Sequence, residues 1–367
     1  MNRNINSILT PGVYSMIGIG TIFRRNTGSG GGGISTLMDN WINEHIVFQY
    51  DVKKQGATNE TLKESAYLQD LSGKGRRMKL NNFLFDTMSG VDGYKNEAFV
   101  NAIGAIDIRF DHINGRQIKG KPAQDWDKFG YYRAKNMVER IIYCKWHVEG
   151  ILDDNKVYVT QYTAYDNRVE LHNGDNYIEL DTNQGKAGYN YISVISDQPY
   201  STDITITQIP EYPGALVTDG VDDYGLVENL SSGVKMLFMT VNPMMLNAAL
   251  YDQRYTSGWH LFAVITESNK VAYNVYNTRG KTYINGVLNE SQTSNELQNE
   301  KQIITIVNSE VNETNPLPPN FFRIRGGGLR IKCAFYNSIS FDSIPTEADG
   351  FTEQELIDYV IDKYELK

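Results

Sequence analysis

Short apolar runs separated by clusters of Gly, Asp, Asn and Pro recur along most of the chain, the period-two grammar of β-strands and turns. The densest instance is residues 214–227, where Ala215, Leu216 and Val217 precede a run of Asp and Gly, and Tyr224 to Val227 follow it. Asp219-Gly220 is a turn dipeptide, because Gly adopts positive φ without a Cβ clash and an Asp carboxylate accepts from nearby amides. The pattern predicts two strands joined as a tight polar hairpin.

Upstream, residues 45–50 and 78–85 read as strands, and residues 62–71 read as a loop entering the turn Ser72-Gly73-Lys74-Gly75. Downstream, residues 234–241 are nearly all apolar, as expected of a strand covered on both faces. Residues 259–266 and 271–277 predict a hairpin around Ser268-Asn269-Lys270. Tyr283-Ile284 and Val287-Leu288 flank Asn285-Gly286, the strongest short hairpin signal. Residues 303–307 and 329–335 add strands. The last element carries a helix start: Thr352 as N-cap, Glu355 three positions on, and Phe351 against Leu356 as a staple. Leu356, Ile357, Val360, Ile361 and Tyr364 give that helix one apolar face.

The stretch 93–211 repeats the strand grammar on its own. Residues 105–110, 156–160, 177–180, 189–195 and 204–207 are β-branched or aromatic runs, with turn clusters at Asn114-Gly115, 172–175, 181–185 and 196–199. Residues 136–143 fit either a helix or a strand. Short strands at this spacing predict a small antiparallel sandwich. Pro210 and Pro213 stiffen the exit from it.

Residues 1–35 differ from everything after them. Val13, Tyr14, Met16, Ile17, Ile19, Ile22 and Phe23 form an apolar, glycine-punctuated stretch, followed by Arg24-Arg25 and a Gly-rich tether. The run is too short to span a bilayer. Its two arginines follow rather than precede it and no small-residue cleavage site is present, so it does not read as a signal peptide. An apolar arm on a tether predicts docking on another subunit. Gly28, Gly30 and Gly33 match G-x-G-x-x-G formally, but no strand–helix context surrounds them, so no dinucleotide site is expected.

Charge and composition then narrow the chemistry. A net charge of −9 and a pI near 5.2 argue against a nucleic-acid partner. Two cysteines, Cys144 and Cys333, fit neither a disulfide framework nor a thiolate metal site and read as small buried hydrophobes. Five scattered histidines spell no metal cluster or triad. The nearest approach to a glycosidase acid pattern, Glu179 and Asp181, runs into a turn and lacks a third acid, so no catalytic residue is expected. Asp219, Asp222 and Asp223 are candidate Ca²⁺ ligands, set against a purely structural role in the turn. No other cofactor is expected. Tyr224, Tyr251, Tyr283 and Trp259 are candidate glycan contacts, set against core packing.

Four segments resemble, in order, the signatures of LamG-like, concanavalin-A-like jelly rolls: 68–75, 214–227, 259–264 and 283–288. In such proteins the first is followed almost at once by the second. Here about 120 residues intervene, far beyond an ordinary loop, which implies an inserted domain. The resemblance therefore implies a mainly β protein: a concanavalin-like jelly-roll sandwich, discontinuous in sequence, with an inserted small β-sandwich and a C-terminal helix. Its parts would be an arm and linker (1–35), the first piece of jelly roll (36–92), the insert (93–211) and the second piece (212–367). Residues 64–75, 80–83 and 204–217 are also similar to proteins of tailed phages of gut Bacteroides-type bacteria, crAss-like phages among them. That likeness implies a non-enzymatic virion component, a head fibre or other appendage subunit made in the host cytoplasm. Its partners would be further copies of itself as a homodimer or homotrimer, other virion proteins such as capsid or tail subunits, and surface glycans, with no membrane. The competing expectation is a secreted or surface carbohydrate-binding protein or glycosidase of a gut bacterium.

Overall fold

The computed structural model describes residues 33–86, 88–93, 100–101, 110–114, 116–122, 131–133, 141–161, 168–181, 191–230, 233–244, 248–253, 261–267, 270–276, 280–289, 300–308, 318–323 and 328–367. The apolar arm, Trp259-His260, Ser268-Asn269 and residues 105–109 lie outside them.

The fold is mainly β, with every strand pair in its four sheets antiparallel. One eight-stranded sheet runs Val287–Leu288, Gly280–Ile284, Gln302–Asn308, Met236–Pro243, Cys333–Phe341, Leu216–Val217, Gly90–Val91, with Ile46–Asp51 also on Cys333–Phe341. A seven-stranded sheet runs Tyr67–Leu68, Met78–Asn81, Tyr224–Val227, Asn320–Phe321, Ala248–Asp252, Leu261–Glu267, Lys270–Tyr276. Both sheets mix strands from before residue 92 with strands from after residue 215. The sandwich is therefore discontinuous in sequence.

Strand alternation sorts the large sheet's side chains into two cores. Met236–Pro243 is buried at every position. Its Leu237, Met239 and Val241 join the core shared with the seven-stranded sheet, whereas Met236 and Phe238 face the helices. Gln302–Asn308 divides likewise, Ile304 and Ile306 inward, Ile303 and Val307 outward. Cys333–Phe341 starts with Cys333 and Phe335 inward and ends with Ile339 and Phe341 outward. A register shift opposite Thr240 and Val241 supplies the one-residue change of phase. Phe321 sits at the centre of the inner core, its ring meeting Tyr251, Phe335 and Phe48 with centroids 5.3, 5.9 and 6.0 Å away.

The first and last helices cover the outward face, whereas the second packs Leu62 into the inner core. Helix α1 (Ile34–His45) buries Met38, Trp41 and Ile42 there. Helix α2 (Asn59–Ser65) begins at Thr58, whose side chain accepts from the Thr61 amide, and ends at Ala66 in the left-handed region. Helix α3 (Glu353–Lys363) has the expected start: Thr352 Oγ1 accepts from the Glu355 amide at 3.2 Å, and Glu355 Oε2 accepts from the Thr352 amide at 2.8 Å. It buries Leu356, Ile357, Val360 and Ile361. Asp39 on α1 accepts from Tyr359 and Lys363 on α3, each at 2.5 Å, which ties the two helices together.

The insert is a sandwich of two five-stranded sheets made only of residues between Val100 and Gln208. Its core gathers Trp146, Val148, Val157, Val159, Leu171, Ile178, Val194, Ile204 and Ile206. Where the chain leaves and re-enters the larger sandwich, the Glu211 amide donates to Gly93 O at 3.0 Å and the Tyr212 amide to Asp92 O at 3.0 Å.

Two expectations need correction. The residues read as a loop from Leu62 include the last turn of α2. The hairpin expected at Asp219-Gly220 is instead an arch between sheets. Leu216–Val217 is bonded on both edges, by Cys333–Phe341 and Gly90–Val91. Tyr224–Val227 is likewise flanked by Met78–Asn81 and Asn320–Phe321, so neither strand has a free edge for the other.

Candidate functional site

The arch of residues 219–223 carries the densest group of titratable side chains singled out by the sequence. Gly220 takes φ +78°, as a tight corner requires. Asp219 Oδ1 accepts from the Val221 amide at 2.7 Å and the Asp222 amide at 3.2 Å. The Asp219 amide donates to Asp223 Oδ2 at 2.9 Å, and Ser89 Oγ donates to the same oxygen at 2.8 Å. Asn82 Nδ2 braces the outside by donating to Asp222 O at 3.1 Å. Ser89 and Asn82 come from the strand edge before the insert, and no sequence spacing linked them to the arch.

Asp223 is 1 % exposed, and its Oδ1 is buried with no hydrogen-bond partner. Burial, the largest cause, pushes its carboxyl up to about 7; the neighbouring Asp219 and Asp222 charges add to the rise, and its hydrogen bonds oppose it. Carboxylate oxygens of Asp219, Asp222 and Asp223 all lie within 4.8 Å of one another. Among the described residues, none of the three forms an ion pair with Lys, Arg or His. Such a set of hard oxygen donors can hold a hard cation, and it also shapes the corner by itself.

The aromatic candidates fall in different places. Tyr251 is wholly buried, with its hydroxyl donating to Gln253 Oε1 at 2.8 Å. Tyr283 is 4 % exposed and hydrogen-bonds Glu353 at the start of α3; burial and that carboxylate hold its hydroxyl well above the ordinary phenol range. The expected glycan-facing surface therefore does not include these two rings, because neither offers a face to solvent. Tyr224 is half-buried, and the Arg323 guanidinium lies 3.1 Å from its ring centroid. Trp259 lies outside the described residues.

Several other titratable groups serve the fold. Asp70 organises the Ser72-Gly73 turn: its Oδ1 accepts from the Gln49 and Ser72 amides, and its Oδ2 from the Arg76 amide. His45 Nδ1 meets Asp342 Oδ1 at 3.1 Å across the end of α1. His147 Nδ1 meets Asp175 Oδ1 at 2.6 Å on neighbouring strands of the insert. Glu179 is exposed on the insert. Cys333 is buried and its thiol is pushed up to about 12 by desolvation, which leaves it unreactive. No helix among the described residues is long and apolar enough to cross a membrane.

Compared with protein-family models, with curated proteins and with solved structures, the chain shows no significant match.

Proposed function

We propose that this chain is a non-enzymatic structural subunit of a phage virion, a head fibre or other appendage protein joined to the particle through residues 1–35. The observation that carries the reading is the apolar, glycine-tethered sequence of residues 1–35 ahead of a β-sandwich. Asp70, Thr218, Glu353 and Asp39 all bond backbone or side-chain partners within the fold. The resemblance of residues 64–75, 80–83 and 204–217 to proteins of tailed phages is in keeping with it. In this reading the arm seats in a second subunit, and the tether accommodates a change of symmetry between the particle and the sandwich. Glycan contact, if it contributes, centres on Tyr224, the one described aromatic candidate that keeps partial exposure.

Gold-labelled antibody to this chain, applied to intact particles and viewed in negative stain, tests the assignment. Label at a fixed place on head or tail is expected. Label confined to the host cell surface, with bare particles, supports the bacterial carbohydrate-binding alternative instead.

A further inference from the structure

We propose that Arg323 and Arg330 form a site for a doubly charged tetrahedral oxyanion, inorganic phosphate or a phosphate monoester, on the outer face of the seven-stranded sheet. The two arginines face each other across an isolated antiparallel bridge. The Ile331 amide donates to Phe322 O at 3.0 Å. That ladder bond flanks the pair instead of joining it, the register in which facing side chains stand closest. Like charges in this position repel, and arginine cannot shed its proton to relieve the repulsion. Among the described residues neither guanidinium has a carboxylate partner, the arch carboxylates just before Tyr224 included. Nε of each arginine is moreover buried without a hydrogen-bond partner. Buried donors without an acceptor are costly. An oxyanion entering between the two side chains supplies acceptors and cancels the repulsion.

Strand alternation and one unusual backbone conformation put the pair there. Val227 points into the inner core, so Tyr224, of opposite parity on the same strand, faces outward. Phe321 and Phe322 both belong to the inner core, where alternation would admit only one of them. Phe322 does so at φ +70°, which bulky residues rarely take. Arg323 therefore emerges on the outer face, its guanidinium carbon 3.1 Å from the centroid of the Tyr224 ring. Residues held in such conformations cluster at binding and catalytic sites. The ring holds one face of the guanidinium by cation–π attraction and leaves its N–H edge to an oxyanion. Two positive charges match a phosphate dianion better than a monovalent carboxylate. The chain's net charge of −9 disfavours anions elsewhere on the surface, so the attraction is local.

Equilibrium dialysis of the full chain against radiolabelled inorganic phosphate at neutral pH, with ionic strength held constant by sodium chloride, tests the proposal. One phosphate per chain should bind, and Arg330→Gln should weaken it by about tenfold or more. Arg330→Lys keeps the charge but loses the planar fork, and should fall between the two. Arg330→Gln also relieves a like-charge pair, so its melt without phosphate should be no lower than that of the unaltered chain. That comparison separates loss of the site from loss of the fold. Displacement of the label by glycerol phosphate assigns the site to a monoester; label that resists it assigns the site to the free ion. Acetate should displace clearly less than unlabelled phosphate, and equal displacement overturns the dianion assignment. Absence of phosphate binding in the unaltered chain, or binding unchanged in Arg330→Gln, overturns the site itself. Neither result bears on the assembly role of the arm.

Discussion

Asp70, Asp175 and Asp223 are three carboxylates with three fates, decided by what the fold brings to each. Asp70 is held by the amides of Ser72 and Arg76 in its own turn and of Gln49 on a separate strand; the part within the turn is readable from the Asp-x-Ser-Gly spacing, because its Ser72 donor lies two positions away. Asp223 is half-satisfied, and its Ser89 partner lies 134 positions away, a distance no local pattern encodes. Asp175 is exposed and meets His147 across two paired strands. That hydrogen bond, more than any other cause, holds the imidazole above its ordinary value of 6.5. A raised folded-state value means a contribution that is complete below about pH 6.5 and is lost as pH rises through the folded value. Because the pair is exposed, the effect on stability is slight, and the titration itself is the better readout. The His147 ring signals in an NMR titration should have a midpoint above that of an ordinary histidine, and Asp175→Asn should lower it. An identical midpoint in both chains contradicts the contact.

At the scale of single elements, legibility followed how local the signal was. The hairpin at Asn285-Gly286 and the pairing of Leu261–Glu267 with Lys270–Tyr276 form where the turn residues said. Helix α3 starts where Thr352 and Glu355 placed it. Helix α1 escaped notice because Gly33 caps it without a side-chain bond, and its apolar face is only Met38, Trp41 and Ile42. Asn320–Phe321 is two residues long, too short to show a period. A turn dipeptide does not distinguish a hairpin from an arch, because it reports a reversal of direction and not whether the two strands share a sheet; neighbouring strands decide that. Helix α3 offers a direct check on packing against propensity. Thr352→Ala removes a cap and should cost about 1 kcal/mol. Val360→Asp places an unpaired carboxylate in a fully buried position and should cost clearly more, about 3 kcal/mol or above. Urea melts giving equal losses for the two variants contradict a docked helix.

For the whole molecule, the sandwich and its insert have separate cores, and the crossing points lie side by side. The bonds from Glu211 and Tyr212 to Gly93 and Asp92 close the gap across which the insert leaves and returns. The Gly214 amide adds a bond to Asp92 Oδ1 at 2.8 Å. Ends held so close allow removal of the intervening part. Replacing residues 95–211 with a short Gly/Ser bridge should leave a chain with a cooperative melt and a native near-ultraviolet spectrum. A chain that aggregates or melts without cooperativity shows instead that the insert helps hold the sandwich. The proposal for the molecule as a whole is that residues 1–35 assemble it. Apolar side chains left in water cost about 25 cal/mol for each Å² exposed, and a second subunit removes that cost. The most direct measurement is the solution mass by light scattering of the full 41.6 kDa chain and of one beginning at Ile34. The expected result is a dimer or trimer for the full chain and a folded monomer for the shortened one. Equal association states for the two contradict the assembly role of the arm.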